Sequence, residues 1–412
     1  MIGAGVYTTS GFTLADLGSP TRVIVAWIVG GVIAICGAIS YGALSRRFTA
    51  SGGEYLFLSR AVHPAAGYVA GFVSILAGFT GATAVAAVAF EKYLPKWQVI
   101  AEWPEGTVAC IAIAVGALMH GVYARLGTPI QNVLVVVKFA LLLVFFVVAA
   151  SAFPTSWKNL SPVADAGPFE WSTFAVSLMW ISFSYSGFNA AIYVASEVRD
   201  PEVNVQRALW IATVLVTLLY ILLNVVFVFA PAYGDVVGQE EVGVIAARAI
   251  GGPTFESMIR GVLLVSLATS VSAMMMSGPR VYAKMADDGV LPKWFRFQND
   301  APTFAIFIQA ALAIAVVQIS NLKQLLGYLG FTLSLCAALT VSTIFLLKRR
   351  GEDVRVPLYP WPPLIFVAAT VMVAVIAGFR QPKECLAGLA TLAVGIVVYK
   401  SGIVEKQMQQ SE

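Results

Sequence analysis

The sequence predicts an all-α integral membrane protein, and three observations carry that prediction. Apolar residues make up 59% of the 412 and charged residues only 12%, against roughly 25% charged in an ordinary soluble domain. The apolar residues gather into long runs, most of them near the ~20 residues that a helix needs to cross ~30 Å of hydrocarbon. Such runs are too long for barrel strands, and a helix satisfies its own backbone polar groups inside lipid.

Taken in order, the full spans fall at 23–44, 65–93, 108–123, 133–153, 174–194, 209–230, 257–277, 303–319, 325–347, 363–379 and 385–400. Residues 1–17 read as the second part of a further span, so eleven full spans follow a truncated first one. Pro, Gly and charged residues fill the breaks, as loops require. The longest outside loop covers 231–256, so the chain is one membrane domain with no separate soluble unit. If the chain starts in the cytoplasm, cytoplasmic loops hold sixteen Lys and Arg, outside loops hold nine, and Lys138 lies within a span. That bias places both termini in the cytoplasm. No basic head and smooth apolar core mark a cleavable signal peptide. Cys36, Cys110, Cys336 and Cys385 lie far apart in apolar runs without a CxxC spacing, so they read as buried thiols. Neither a metal, a cofactor nor a nucleic-acid partner is expected; the expected surroundings are a lipid bilayer.

The residues that spoil good membrane helices are the informative ones. Gly3-Ala4-Gly5 opens the first segment, and Ser182-Phe183-Ser184-Tyr185-Ser186-Gly187-Phe188-Asn189 interrupts the sixth span. Glycine costs ~1 kcal/mol against alanine inside a helix, and hydroxyls offer the backbone competing partners. Both places are candidates for unwound helix. They stand five spans apart, the offset of two five-helix halves related by an inverted repeat. Free N–H groups at Gly3–Gly5, helped by the positive end of the helix dipole, would face a carboxylate. Free carbonyls around Ile2 and residues 183–186 would accept from an ammonium. Such a site for a zwitterion needs no ionised side chain at the midplane. Phe183 and Phe188 are the candidate lids. Close packing of helices is the competing account of glycine in a span, and it is the better reading of Gly67, Gly71, Ser74, Gly78 and Gly81 in the third span. Lys138 stands six residues inside its predicted span, roughly 9 Å deep. From there it can snorkel to the interface or sit inside the bundle as a cation that replaces a metal ion.

Four stretches resemble the amino acid–polyamine–organocation (APC) superfamily of permeases, in order and over nearly the whole chain. They are Ile2-Gly3-Ala4-Gly5-Val6; Gly52-Gly53-Glu54-Tyr55; Gly187-Phe188-Asn189 followed by Glu197 and Asp200-Pro201; and the cytoplasmic loop running from Arg280 through Met285, Asp288 and Gly289 to Pro292. The wording around Phe183–Asn189 resembles the L-type and bacterial neutral amino acid branch. The resemblance implies a LeuT-type fold of five plus five helices with two more at the C-terminus, here with the first helix truncated. It divides the chain into 1–153, 174–347 and 363–400. It implies a secondary transporter of amino acids in a plasma membrane of bacterial type, sodium-independent and driven by protons or exchange. Gly3, Ala4 and Gly5 would then bind the substrate carboxylate, Ile2, Phe183 and Ser186 its amine, and Gly187, Phe188 and Asn189 would complete the site. Lys138 matches a fifth-span lysine in the place of a sodium ion. Members of the family carry a tail and a half-helix ahead of the first motif, so a chain starting at Met1 is expected to be unstable or leaky.

Glu54 and Glu197 read as carboxylates at cytoplasmic helix ends, where solvation is ordinary, with gating as the functional alternative. No acidic residue is expected beside the substrate. Ser266, Thr269, Ser270 and Ser272 read as helix-to-helix hydrogen bonding rather than an ion site. A polyamine carrier is the alternative within the class, and an amino acid sensor that binds without transporting is the alternative outside it. No nucleophile–base pair suggests an enzyme.

Overall fold

The computed structural model describes residues 1–95, 102–155, 157–160, 167–319 and 322–401. The C-terminal tail at 402–412 and the loop stretch at 161–166 lie outside the described residues.

The described residues are helical apart from loops and one isolated bridge between Gln298 and Ala301. Helix α1 spans Ala4–Leu17 and stops at Gly18, whose left-handed backbone lets its N–H return to the Leu14 carbonyl. Helix α2 (Pro20–Arg47) starts on a proline at its first turn and ends on Arg46 and Arg47, the arrangement the helix dipole favours. A short helix α3 (Gly53–Ala61) follows, which hydropathy does not reveal because it is too short to span. Helix α4 runs over Pro64–Tyr93, with the His63 ring accepting from the Ala65 N–H at its start. Its middle third, Ser74–Gly81, is wound as a π-helix.

Beyond it lie α5 (Thr107–Gly121), α6 (Ala124–Ser151) and α7 (Trp171–Tyr185). Glu91 at the end of α4 caps α5, its two oxygens accepting from the Gly106 and Ala109 N–H groups at 2.9 Å each. Next come α8 (Pro201–Phe229), α9 (Val242–Asp287), α10 (Thr303–Ile319), α11 (Leu322–Arg349), α12 (Trp361–Arg380) and α13 (Pro382–Lys400). Helix α9 is two helices joined at a break: Gly251 and Gly252 leave helical geometry just ahead of Pro253.

Ten of the eleven predicted full spans each fall on a single helix. Eight among the described residues are long and apolar enough to cross a membrane, and α5 and α10 are shorter apolar helices. The remaining predicted span, 174–194, has α7 for its first half only. One boundary matters for the chemistry: α6 begins at Ala124, nine residues before the predicted start at 133. Lys138 is therefore about 21 Å along its helix rather than 9 Å. Helices α1 and α7 pack side by side, α2 lies along α8, and α9 is packed against α4, α5 and α6. This places the start of α1 and the end of α7 together in the interior.

Candidate functional site

The interruption in the sixth span has the form the sequence predicts. Helix α7 ends at Tyr185, Ser186 is extended at φ −52° and ψ 140°, and a 3-10 segment resumes over Ala190–Glu197. Between them Gly187 takes φ +91°, a backbone that side chains other than hydrogen strain. A cavity of about 150 Å³ lies against this break. Drug-sized pockets run to about 300 Å³ and more, so this one suits a small molecule. Its wall includes Phe183, Ser186, Gly187, Phe188 and Asn189 from the break, Met1 ahead of α1, Ser74 and Gly78 from the π-helical turn, and Ser334 and Cys336 from α11. Phe188 packs edge-on between Tyr41 at 5.4 Å and Phe366 at 5.9 Å. It is a fixed wall, while Phe183, half-buried, remains the candidate lid.

The first segment contributes differently from expectation. Among the described residues, Met1 lines the cavity but Ile2, Gly3 and Gly5 do not. The Ile2 carbonyl accepts from the Ser270 hydroxyl at 3.3 Å. Gly5 is pressed onto α7, where an added Cβ would come within 2.7 Å of the Ser184 backbone. Ala4 is the first residue of α1. The one hydroxyl hydrogen of Tyr220 is shared between the carbonyls of Met1 (2.6 Å) and Ser184 (3.0 Å), tying the start of α1 to the end of α7.

The glycine stripe of α4 divides into two roles. An added Cβ on Gly67, Gly71 or Gly81 would meet a neighbour at 2.4–2.6 Å, so these positions pack closely. Gly78 has only ordinary contacts from 3.6 Å, and it lines the cavity with Ser74. Reading all five as packing was wrong for these two. The π-helix, a form that gathers at functional sites, rotates them inward, and residue spacing cannot reveal that.

Lys138 does not snorkel. It is 7% exposed and its Nζ donates to the Thr269 hydroxyl at 3.2 Å, joining α6 to α9. The hydroxyls of α9 each reach another element: Ser266 pairs with Tyr7 at 3.3 Å and Ser272 with the His120 ring at 2.8 Å.

The two glutamates part company. Glu197 is half-exposed and forms a bidentate pair with Arg280, at 2.5 and 3.1 Å, bridging the end of the 3-10 segment to α9. Glu54 is 6% exposed and lines the cavity, which corrects both its reading as a solvated helix-end carboxylate and the expectation that no acid stands near the site. Its Oε1 accepts from Tyr41 (2.9 Å) and Asn189 (2.5 Å), and its Oε2 from Tyr193 (2.8 Å). The paired glycines just before it have a steric cause: an added Cβ on Gly53 would lie 2.2 Å from the Tyr193 ring. Glycine there lets Tyr193 close over the chain and reach the carboxylate. Burial pushes the Glu54 carboxyl above the usual carboxylate range, outweighing the three donors that act the other way.

The family model for amino acid permeases matches residues 1–398. The large neutral amino acids transporter small subunit 2 of Oryctolagus cuniculus is 24% identical over 422 residues, covering 98% of this chain and 78% of its own length. The Asc-type amino acid transporter 1 of Mus musculus is 23% identical with the same coverages. The serine/threonine exchanger SteT of Bacillus subtilis is 24% identical, covering 96% of this chain and 92% of its own. With the match running from the first residue to near the end of the last helix, this chain belongs to the amino acid permease family.

Proposed function

We propose that this chain is a secondary active transporter of neutral amino acids, working by alternating access in the plasma membrane of a bacterial-type cell, with both termini in the cytoplasm. The observation that carries the reading is the small cavity set against the unwound residues 186–189. The substrate carboxylate binds the N–H groups of Gly3, Ala4 and Gly5 at the positive end of α1, which do not line the cavity in this conformation and turn to it as α1 rocks. Its ammonium is held by carbonyls of Ile2, Phe183 and Ser186. The bond from Ser270 to Ile2 and that from Ser186 N–H to Phe183 (2.9 Å) leave each carbonyl a second lone pair. Phe183 closes over the substrate and Phe188 walls it.

Two features support a neutral substrate. Glu54, the one charged side chain among the described lining residues, is already bonded to three donors and is not offered to a basic group. The relatives are named for large neutral amino acids and for serine and threonine. Lys138, held on Thr269, supplies a fixed cation in place of a metal ion, so transport is sodium-independent and runs by exchange or proton coupling. Helix α1 with α7 and the 3-10 segment rocks against the rest, the halves 1–153 and 174–347 acting as inverted repeats beside the helices at 363–400. Glu54 and the Glu197–Arg280 pair gate the cytoplasmic side.

Uptake of labelled amino acids by the purified chain in proteoliposomes tests this. Neutral amino acids are expected to compete while lysine and putrescine do not, without any need for sodium. Faster uptake into preloaded vesicles would identify exchange. Binding without uptake by folded protein would make it a sensor and overturn the reading.

A further inference from the structure

The cluster around Glu54 is built like a proton site. Three elements meet on one buried carboxylate: α2 through Tyr41, α3 through Glu54, and the 3-10 half of the sixth span through Asn189 and Tyr193. Asn189 donates a second bond to the Tyr193 hydroxyl at 3.0 Å. With the carboxylate ionised, each of these four hydrogens has an acceptor inside the cluster. No cation among the described residues bonds to Glu54. Facing it are Tyr41, Tyr193 and the Cys336 thiol of α11. Beyond Gly52 lies Lys284 of α9, whose charge is already taken by Asp288 at 2.7 Å. Arg280 is engaged with Glu197, and Arg350 caps the far end of α3 at the Ala61 carbonyl. The carboxylate therefore has donors but no counter-charge, the setting in which a proton is the cheapest neutraliser.

Oε2 accepts one bond where Oε1 accepts two, so a proton has a lone pair to occupy on Oε2, and its arrival removes the charge that makes the three accepted bonds strong. Two of those three bonds come from the 3-10 half-helix, and the Asn189 NH₂ group cannot turn round to accept from the new proton, so neutralisation loosens the tie between that half-helix and α3. We propose that Glu54 is a proton-binding site that latches the second half of the sixth span: ionised, it holds Asn189 and Tyr193; protonated, it releases them. The site opens onto the same cavity that we assign to the substrate. The transport arm of the test rests on the function proposed above, and the titration arm does not.

The titration arm uses purified full chain in lipid nanodiscs. The infrared carbonyl band of a protonated carboxyl group is followed against pH in wild type, Glu54→Gln and Tyr193→Phe. We expect a band that fades on raising the pH with a midpoint above the ordinary carboxylate range, is absent in Glu54→Gln, and in Tyr193→Phe shifts its midpoint upward by about one unit, because the ionised form loses a donor. In proteoliposomes, the wild-type exchange rate should change at least threefold across that midpoint, with Glu54→Gln flat. No difference in titrating band between wild type and Glu54→Gln overturns the site. A band that titrates while Glu54→Gln keeps the wild-type pH profile of transport overturns the latch. If the chain transports nothing, the band alone decides the proton site.

Discussion

Glu54 and Glu197 flank the same half-helix and point to opposite physical regimes. Glu197 keeps about half of its side chain in solvent and meets a full counter-charge in Arg280, so it is a surface ion pair bridging two helices. Glu54 is buried, meets neutral donors only, and opens onto the cavity. One carboxylate meets a counter-charge and is screened by water; the other is shaped by desolvation and the geometry of three hydrogen bonds. The difference shows where a small change of protonation can be felt by the bundle: at the interior contact of the 3-10 segment, where every bond lacks a competing solvent.

Substitutions sharpen this contrast. Glu54→Leu leaves Tyr41, Tyr193 and Asn189 without their acceptor, and losing buried partners costs about 1–3 kcal/mol each. Its apparent melting temperature in detergent should fall by several degrees, the largest effect expected here. Lys138→Met removes the bond to Thr269 and the buried cation, and the initial rate of uptake should drop by at least about tenfold, equivalent to ~1.4 kcal/mol, with purified yield retained. Stability should also carry the sign of the Glu54 shift. Because folding raises this carboxyl above its ordinary value, the stabilisation is complete below the ordinary carboxylate range. It is lost as pH rises through the folded value. Wild type should accordingly lose melting temperature relative to Glu54→Gln as pH is raised above the ordinary carboxylate range; the opposite trend would reverse our assignment of burial as the dominant cause. Glu197→Gln should matter least, since exposed pairs contribute about 0–1 kcal/mol, and its melting curve should nearly overlay that of wild type.

Much of the architecture was legible because hydropathy reports burial in lipid directly. The runs of apolar residues fall on single helices at ten of the eleven predicted full spans, and the break at Gly187 followed from a glycine among hydroxyls where an apolar helix should continue. What stayed hidden depended on rotation and depth. Ser74 and Gly78 share a helical stripe with Gly71 and Gly81, and only the π-helical turn directs them to the cavity. Lys138 looked shallow because Gly127, Thr128, Pro129 and Gln131 read as loop, although α6 already runs through them. Glu54 looked like a helix-end carboxylate because its three donors come from residues 13, 135 and 139 positions away, a convergence that no local pattern encodes. The glycine pair at 52–53 was the available signal, since a chain that must let an aromatic ring within 2.2 Å of a Cβ position needs glycine there.

The most direct test of the central claim, that a neutral amino acid occupies the cavity beside the broken sixth span, is equilibrium binding of a labelled neutral amino acid to two glycine variants. Gly78 lines the cavity with room beyond it, whereas Gly261 on α9 is exposed and has nothing within 4 Å of an added Cβ. Both Gly78→Leu and Gly261→Leu should fold, as judged by melting temperature. Gly78→Leu is predicted to weaken binding by at least about tenfold, or ~1.4 kcal/mol, and Gly261→Leu to bind as wild type. A folded Gly78→Leu that binds with unchanged affinity would place the substrate elsewhere and contradict the account.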